Sequence, residues 1–376
     1  MKIGFVLDDG LDSNDGVQQY VRVLGTWLSQ QGHEVNYLVG ESKKLSKDIY
    51  SLSKNIKMKF NGNRLTIPVY ASSRLIRDLL NREQYDILHV QMPYSPAMAA
   101  KIIKYASPHT AVIGTFHILP LGRPQTAANY MLAKLLRPTL GRFNAMCSVS
   151  DSAQKFAART YGLDSTVIPN MIDVAQWQTT VVPVSRKIVF LGRLVARKGC
   201  QQLLQVLHAL PPAQRQSLQI VIAGAGPRQV SLEKLAGKFG LNAVFLGYVA
   251  ESDKPALLAS ADYAVFPSTG GESFGIVLLE AMAAGSGVVI GGDNPGYRSV
   301  LDPFPGCLID FTSTRAAAAA LSKLMNDTQA KRKLHDQQKQ AIKNYDVNIV
   351  GQKIIEMYTK ALTLTVANSS FTRTVL

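Results

Sequence analysis

The stretch Gly270-Gly271-Glu272-Ser273-Phe274-Gly275-Ile276-Val277-Leu278-Leu279-Glu280-Ala281-Met282-Ala283-Ala284-Gly285 decides how this chain is read. A glycine pair closes a β-rich run, Tyr263 to Pro267, and an apolar helix is expected from near Phe274. A strand that turns directly into a helix leaves several backbone N–H groups without intrahelical partners, at the positive end of the helix dipole. Such a junction accepts phosphate, and acidic side chains beside it can hold the neutral polar part of a phosphorylated ligand. Either glutamate alone would read as an ordinary acid of a helix start. The whole string, with Gly-Gly before it and Ala-Met-Ala-Ala-Gly after it, is too specific for that.

Working outward, short β-rich runs alternate with amphipathic helical stretches along the 376 residues, which argues for parallel sheets with crossover helices. The first half offers strands at Ile3–Leu7, Val35–Leu38, Ile87–Val90, Ala111–Phe116, Met146–Val149 and Thr166–Ile168. The second half offers Ile188–Leu191, Leu218–Ala223, Val244–Leu246, Tyr263–Phe266, Val288–Ile290 and Cys307–Ile309. A new β-α series starts after Pro169-Asn170, and the polar stretch Gln176 to Ser185 reads as a linker. The expected organisation is α/β, with two separate doubly wound domains. Ligands of such sheets lie at the carboxyl ends of the strands. The chain past Thr314 is helical, and the tail Asn368 to Leu376 is expected to be loose.

Several strand ends carry chemistry. Gly192-Arg193-Leu194 and Arg197-Lys198-Gly199 follow the first strand of the second domain, where glycine admits a diphosphate and fixed cations counter its charge. Gly224-Ala225-Gly226 is another strand-end turn, a weak signal alone. In the first domain Asp15-Gly16-Val17-Gln18 opens a helix running to Gln31, with Asp15 a candidate cap. Asp8, Asp9, Asp12 and Asn14 crowd the same loop; a cation or acceptor hydroxyls would suit them, and a solvated loop is the simpler reading. His117 stands at the end of the Val112-to-Phe116 run, where a lone histidine is commonly structural.

Taken together, these motifs resemble the retaining glycosyltransferases of family 4, and the likeness extends over nearly the whole chain. The resemblance implies the GT-B fold, two facing Rossmann-like domains with a C-terminal helix crossing back to the first. On this chain that gives residues 1–170 plus a returning helix at about 349–376 as the acceptor and membrane-facing domain, and 171–348 as the nucleotide-sugar domain. It implies that Glu272 contacts the donor sugar, that Glu280 contacts the nucleotide ribose, and that the amides of Ser273, Phe274, Gly275 and Ile276 hold the distal phosphate. Arg193 and Lys198 would hold the diphosphate, Gly224 and Val249 would lie beside the nucleotide, and Gly16 would approach the sugar-phosphate. His117 would orient the reacting sugar and the acceptor hydroxyl, so that His117, Glu272, Arg193 and Lys198 form the catalytic set. Within the family the likeness is greatest to the phosphatidylinositol mannosyltransferases, carried by Gly16-Val17-Gln18, Thr115-Phe116-His117, Arg197-Lys198-Gly199 and Gly270 to Gly285. There Gln18 would lie near the inositol. Asp15-Gly16 stands where the family has Gly-Gly, and Asn170-Met171-Ile172-Asp173 where it has Asn-Gly-Val-Asp.

The expected function is retaining transfer of a hexose, with mannose from GDP-mannose favoured and a UDP-hexose possible, onto a membrane lipid such as phosphatidylinositol. Glucosyl- or galactosyl-diacylglycerol synthases, transferases for other acceptors, and a non-catalytic nucleotide-sugar-binding membrane-surface protein are the alternatives. No tightly bound cofactor is expected, no metal cage is visible, and no residue pattern requires a divalent cation. Cys147, Cys200 and Cys307 follow no ligand spacing and read as reduced, buried thiols.

Charge supplies the remaining partner. The chain carries a formal +15, and residues 43 to 82 hold ten basic residues against only Asp48 and Asp78. Lys43, Lys44, Lys54, Lys57 and Lys59 fall in that run. Between Ile87 and Ser150 there is no acid, while Lys101, Lys104, Arg123, Lys134, Arg137 and Arg142 are basic. An anionic membrane surface suits this better than nucleic acid, for which no recognition module is visible. With no secretory signal and no apolar run near 20 residues, the expected location is cytoplasmic, peripheral to the inner face of the cell membrane.

Overall fold

A computed structural model describes every residue except Asn14, Lys44, Leu45, Asn61, Gly62, Val375 and Leu376, and describes the backbone alone at 57–60, 63–66 and 366–374. Asn14 of the acidic loop and Lys44 of the basic run therefore lie outside the described residues, as do the Lys57 and Lys59 side chains. The chain divides into two compact units, Met1–Met171 with Val347–Leu376, and Ile172–Asp346.

The first unit holds strands β1 (Lys2–Leu7), β2 (Glu34–Val39), β3 (Ile49–Ser51), β4 (Ser53–Phe60), β5 (Asn63–Ala71), β6 (Ile87–Met92), β7 (Ala111–Phe116), β8 (Ala145–Ser148) and β9 (Thr166–Val167). Seven of them form a parallel sheet in the order β3-β2-β1-β6-β7-β8-β9, and β4 and β5 pair as an antiparallel hairpin. The second unit holds β10 (Val184–Leu191), β11 (Gln219–Ala223), β12 (Ala243–Gly247), β13 (Ala261–Phe266), β14 (Val288–Gly292) and β15 (Leu308–Ile309), in the order β12-β11-β10-β13-β14-β15. Both orders are doubly wound: strand order reverses between β1 and β6 in one unit and between β10 and β13 in the other. Loops leaving those strand ends are where ligands of such sheets bind.

The central strands are covered on both faces and largely apolar: β6, β7, β13 and β14 are buried at every residue, with His89, Gln91, Thr115 and Asp262 as their polar exceptions. The last helix, Val347–Thr374, sets Val347, Val350, Ile354, Tyr358 and Ala361 into the first unit's core beside Tyr20, Leu24, Trp27 and Cys147. That spacing of three and four keeps one stripe of the helix inward. Burying each large side chain of the stripe contributes about 1.5–3 kcal/mol. Trp27 Nε1 donates to Asn348 Oδ1 at 2.9 Å, closing the stripe's first turn.

Four sequence expectations change. The hairpin β4–β5 was not foreseen. Gln176 to Ser185, read as a linker, lies inside the second unit, where it ends a short helix and begins β10. The tail expected to be loose from Asn368 continues the last helix as far as Thr374. The apolar helix expected from Phe274 begins at Ile276, because Gly275 precedes it at φ +108° and closes off the helical run.

Candidate active site

In the second unit the loops after β10 and β13 meet at the switch point. Past Leu191 the chain turns through Gly192 and Arg193 into a single 3-10 turn, Ala196–Lys198, and then Gly199 at φ +75°. A Cβ on Gly199 would stand 1.9 Å from the Pro267 carbonyl oxygen, so only glycine lets this turn lie against the end of β13. The contact is stitched by Thr269 N–H, which donates to Arg197 O at 3.1 Å, and by Ser268 Oγ, 3.0 Å from the same oxygen.

This packing delivers two cations to one carboxylate. Arg197 Nη1 lies 2.6 Å and Lys198 Nζ 2.8 Å from Glu272 Oε1, and Ser268 Oγ donates to that atom at 2.9 Å. Glu272 is 9% exposed. Burial pushes its carboxyl up, but the Lys198 and Arg197 charges and the hydrogen bonds outweigh burial, holding it below the ordinary carboxylate value. Three donors converge on Oε1, while Oε2 accepts none from the described residues. The group is thus a fixed anion with one oxygen spare for a ligand hydroxyl, beside two cations able to meet a diphosphate.

Glu272 leads into Ser273, Phe274 and Gly275, and the helix Ile276–Ala284 follows. The N–H groups of Ile276 and Val277 form no hydrogen bond with the described residues, as first-turn amides do not within a helix. Phe274 is buried against Tyr345, ring centroids 5.9 Å apart, which anchors the turn from below. A Cβ on Gly275 would meet the Tyr297 ring at 2.5 Å. Glu280 sits in the second turn of the helix, 5% exposed.

The other expected donor residues lie on neighbouring strand ends of the same unit. Arg193 is half-buried at the strand end and makes no side-chain hydrogen bond or ion pair among the described residues. Gly224, at φ +133°, packs its Cα against Gly192, where a Cβ would stand 1.9 Å from the carbonyl oxygen, and donates its N–H to Gly247 O at 2.6 Å. Val249 is half-buried just past β12. Sequence reasoning named Lys198 and missed Arg197 and Ser268. The dipeptide Arg197-Lys198 was in view, but which of the two basic residues would reach Glu272 depends on the 3-10 turn.

In the first unit Gly16 begins the helix Gly16–Gln30 and is exposed. Asp15 precedes it, but its side chain makes no capping bond, contrary to expectation. The loop acids are also more committed than the solvated reading allowed. Asp8 accepts from Ser95 N–H, Ser95 Oγ and Ala99 N–H, and burial raises its carboxyl to about 6. Asp12 accepts from Ser42 Oγ and Lys43 N–H, and Asp9 from Gly10 N–H and Gln18 Nε2. Gln18 spends its amide N–H groups on Asp9 (3.0 Å) and Gly10 O (3.5 Å). Among the described residues no group of three or more His, Cys, Asp or Glu could hold a metal ion.

His117 is 7% exposed; its Nε2 lies 2.8 Å from Gln91 Oε1, and the Tyr20 ring meets it edge-on at 4.9 Å. Beneath it runs a buried network. His89 Nδ1 pairs with Tyr358 OH at 2.7 Å and His89 Nε2 with Thr115 Oγ1 at 2.6 Å, and Thr115 also meets Tyr20 OH and Cys147 Sγ. Burial, joined by repulsion from His117, drives His89 down to about 3, and burial alone drives His117 to about 3. Both rings are neutral at neutral pH. All three cysteines are free and buried, and burial lifts the Cys147 thiol to about 12. The signal for the network was two polar residues, His89 and Gln91, at alternate positions of a fully buried strand.

Residues 174–344 match the model for glycosyl transferases group 1, and residues 14–176 the model for glycosyltransferase family 4. The chain is 31% identical over 369 residues to the phosphatidyl-myo-inositol mannosyltransferase of Mycolicibacterium smegmatis, covering 95% of this chain and 93% of that protein. Sucrose-phosphate synthase from Thermosynechococcus elongatus superposes with a TM-score of 0.73 at 16% identity, over 97% of this chain and 100% of the other. HepE from Anabaena, solved with UDP and glucose, gives 0.71 at 18%, over 96% and 99%. These likenesses fix the fold as GT-B and the activity class as glycosyl transfer. The chain belongs to glycosyltransferase family 4, and among its members it is similar to the phosphatidyl-myo-inositol mannosyltransferases.

Proposed function

We propose that this protein is a retaining hexosyltransferase that moves mannose from GDP-mannose onto a hydroxyl of a phosphatidylinositol-type lipid, at the inner face of the cell membrane. The observation that carries the reading is the Glu272 cluster, an anion with a spare oxygen beside Arg197 and Lys198 at the start of a helix. Glu272 Oε2 accepts from a sugar hydroxyl, while Lys198, Arg197 and Arg193 counter the diphosphate. As the bond between the anomeric carbon and the phosphate oxygen breaks, charge grows on the leaving diphosphate, and those cations stabilise it. The acceptor oxygen attacks the same face, forming the new glycosidic bond, and its proton passes to a leaving diphosphate oxygen. Glu280 holds the ribose, Gly224 and Val249 border the nucleotide, and the amides from Ser273 to Ile276 hold the distal phosphate. Gly16 admits the sugar-phosphate and Gln18 receives the polyol of the acceptor. The choice of mannose and of an inositol lipid rests on the named activity of the relatives. A screen of GDP-mannose, UDP-glucose, UDP-galactose and UDP-GlcNAc against mixed lipids, with mass spectrometry of the products, tests it. Product from a UDP-sugar on diacylglycerol, and none on phosphatidylinositol, would replace donor and acceptor together.

The lipid surface has its own support. No described helix is long and apolar enough to cross a membrane. The helix Arg123–Leu140, however, exposes Tyr130, Met131 (66% exposed) and Leu135 (61%) alongside Arg123, Lys134 and Arg137. Basic side chains flanking apolar ones match an interfacial helix that enters the headgroup layer of an anionic membrane. Lys101 and Arg142, counted in the same basic stretch, are spent elsewhere: Lys101 donates to Ala71 O, and Arg142 to Ser107 O and Thr110 O. Each basic residue near an anionic surface contributes about 1 kcal/mol, so the triple change Arg123→Glu, Lys134→Glu, Arg137→Glu is expected to weaken vesicle binding by about 100-fold or more. Met131→Ser with Leu135→Ser should remove the part that persists in high salt. Co-sedimentation with phosphatidylserine vesicles reads both, and binding indifferent to all five changes would take this helix out of the interface.

A further inference from the structure

We infer that Gln91 fixes the tautomer of His117, so that His117 offers an unprotonated Nδ1 as a hydrogen-bond acceptor to a carbohydrate or polyol hydroxyl. The inference deepens the proposed sugar-transfer site and rests on that reading for its ligand. Gln91 Nε2 lies 3.3 Å from the His89 carbonyl oxygen, which can only accept, so the amide NH2 end must face it. The other end of the amide, Oε1, then faces His117 Nε2 at 2.8 Å and can only accept in turn. His117 Nε2 therefore carries the hydrogen. A neutral imidazole has one N–H, so Nδ1 is bare. Burial holds this ring neutral down to about pH 3. The Tyr20 ring, edge-on at 73°, and the His117 backbone N–H donating to Met92 O fix its orientation.

Nδ1 has no partner among the described residues. Among the described residues, fully buried side-chain atoms without a partner include Thr160 Oγ1, Asn170 Oδ1 and Gln202 Oε1. His117 retains 7% exposure, and Nδ1 is the ring nitrogen left to meet a ligand. An acceptor-only nitrogen cannot help neutralise a leaving phosphate, and a base this weak does not take a hydroxyl proton. Its remaining role is to accept from a hydroxyl and set the direction of that O–H. Gln91, which touches no ligand in this account, is a positioning residue.

Long-range proton–nitrogen spectra of 15N-histidine-labelled protein without substrate read the tautomer directly. The wild type should show a protonated Nε2 and an unprotonated Nδ1 for His117. Gln91→Leu should mix the two tautomers and lower kcat/KM by about tenfold or more. Gln91→Glu should restore the Nε2–H form and much of the activity, while moving the acidic limb of the pH–rate profile upward, because a carboxylate beside the ring favours its protonated state. A purely structural Gln91 would not give that pH shift. Thermal melting checks that each variant is folded. Donor hydrolysis in the absence of acceptor locates the hydroxyl: a fall in Gln91→Leu places it on the donor sugar, and no fall alongside a raised acceptor KM places it on the acceptor. A wild-type His117 protonated at Nδ1, or a Gln91→Leu protein with unchanged spectrum and kcat/KM, overturns the proposal. Because the spectra need no substrate, failure of the wild type to transfer any sugar would strike the proposed function and leave the tautomer standing.

Discussion

Glu272→Gln is expected to lower kcat by at least about 100-fold while nucleoside diphosphate binding holds or tightens. The two effects separate because Glu272 has two duties on different atoms. Oε1 neutralises Arg197 and Lys198, and in the proposed reaction Oε2 meets a sugar hydroxyl. Glutamine keeps the shape of the site but removes the charge that competes with the diphosphate for both cations. Lys198→Ala should behave in the opposite sense, weakening diphosphate binding and cutting kcat/KM by about 10²–10³-fold with little loss of stability, since Glu272 retains Arg197. Glu272→Ala carries a further penalty. It strands two cations whose side chains are only 15% and 20% exposed, and breaking such a buried pair costs about 3–5 kcal/mol. Loss of activity in the alanine variant must therefore be read against its melting temperature; glutamine also removes the charge but keeps an acceptor oxygen for both cations, so its penalty is smaller. Calorimetric titration with GDP and steady-state assays on the three variants give the comparison. Near-normal turnover in Glu272→Gln would remove the sugar-contact role, and much weaker diphosphate binding in it would mean that the carboxylate does not share its cations with the ligand.

What was legible in the sequence follows from which forces act locally. Strand and helix periodicity, with glycines at the strand ends, located the six strands read in each half, because alternation of buried strands and covering helices is written in adjacent residues. The β4–β5 hairpin escaped because its exposed Ile56, Ile67, Val69 and Tyr70 do not alternate with a buried face in the manner of a core strand. Glu272 and Lys198 were found through motifs, but their bond to one another depends on Gly199 lying against Pro267, a contact 68 positions apart in the chain. Gln91 and His89 carried no motif, since their meaning lies in partners on β7 and on the last helix. Asp8 shows the reverse failure: four polar residues in a loop read as solvated, whereas Ser95 and Ala99, far along the chain, enclose it.

The buried histidines make the first unit sensitive to acid, and its stability is expected to fall by about 2–3 kcal/mol between pH 7 and pH 5. The sign follows from proton uptake. In the unfolded chain His89 and His117 take up protons near 6.5, but in the folded unit burial holds both at about 3. Over that interval the unfolded state binds two protons that the native state does not, so stability is full above 6.5 and is lost as pH falls. Asp8 works against them. Its folded value of about 6 lies above the ordinary 3.8, so the native state binds its proton first and gains stability as pH drops from about 6 toward 3.8. One of the two histidine protons is thereby offset over most of the range, which is why the net slope approaches about 1.4 kcal/mol per pH unit rather than twice that. Glu83, held at about 2 by Lys2 and Arg82, adds to the acid loss only below its ordinary 4.5. The two tryptophans permit a clean measurement, with Trp27 in the first unit and Trp177 in the second. In a Trp177→Phe background, urea unfolding followed by Trp27 fluorescence reports the first unit alone. Asp8→Asn, whose amide oxygen still accepts from Ser95, should steepen the loss to about 4 kcal/mol by removing the offset. His89→Phe should flatten it by removing one of the two protons, at the cost of the bonds to Thr115 and Tyr358. Stability that stays level or rises from pH 7 to pH 5 would show that the two imidazoles are not held neutral, and would remove the basis for treating His117 as an acceptor.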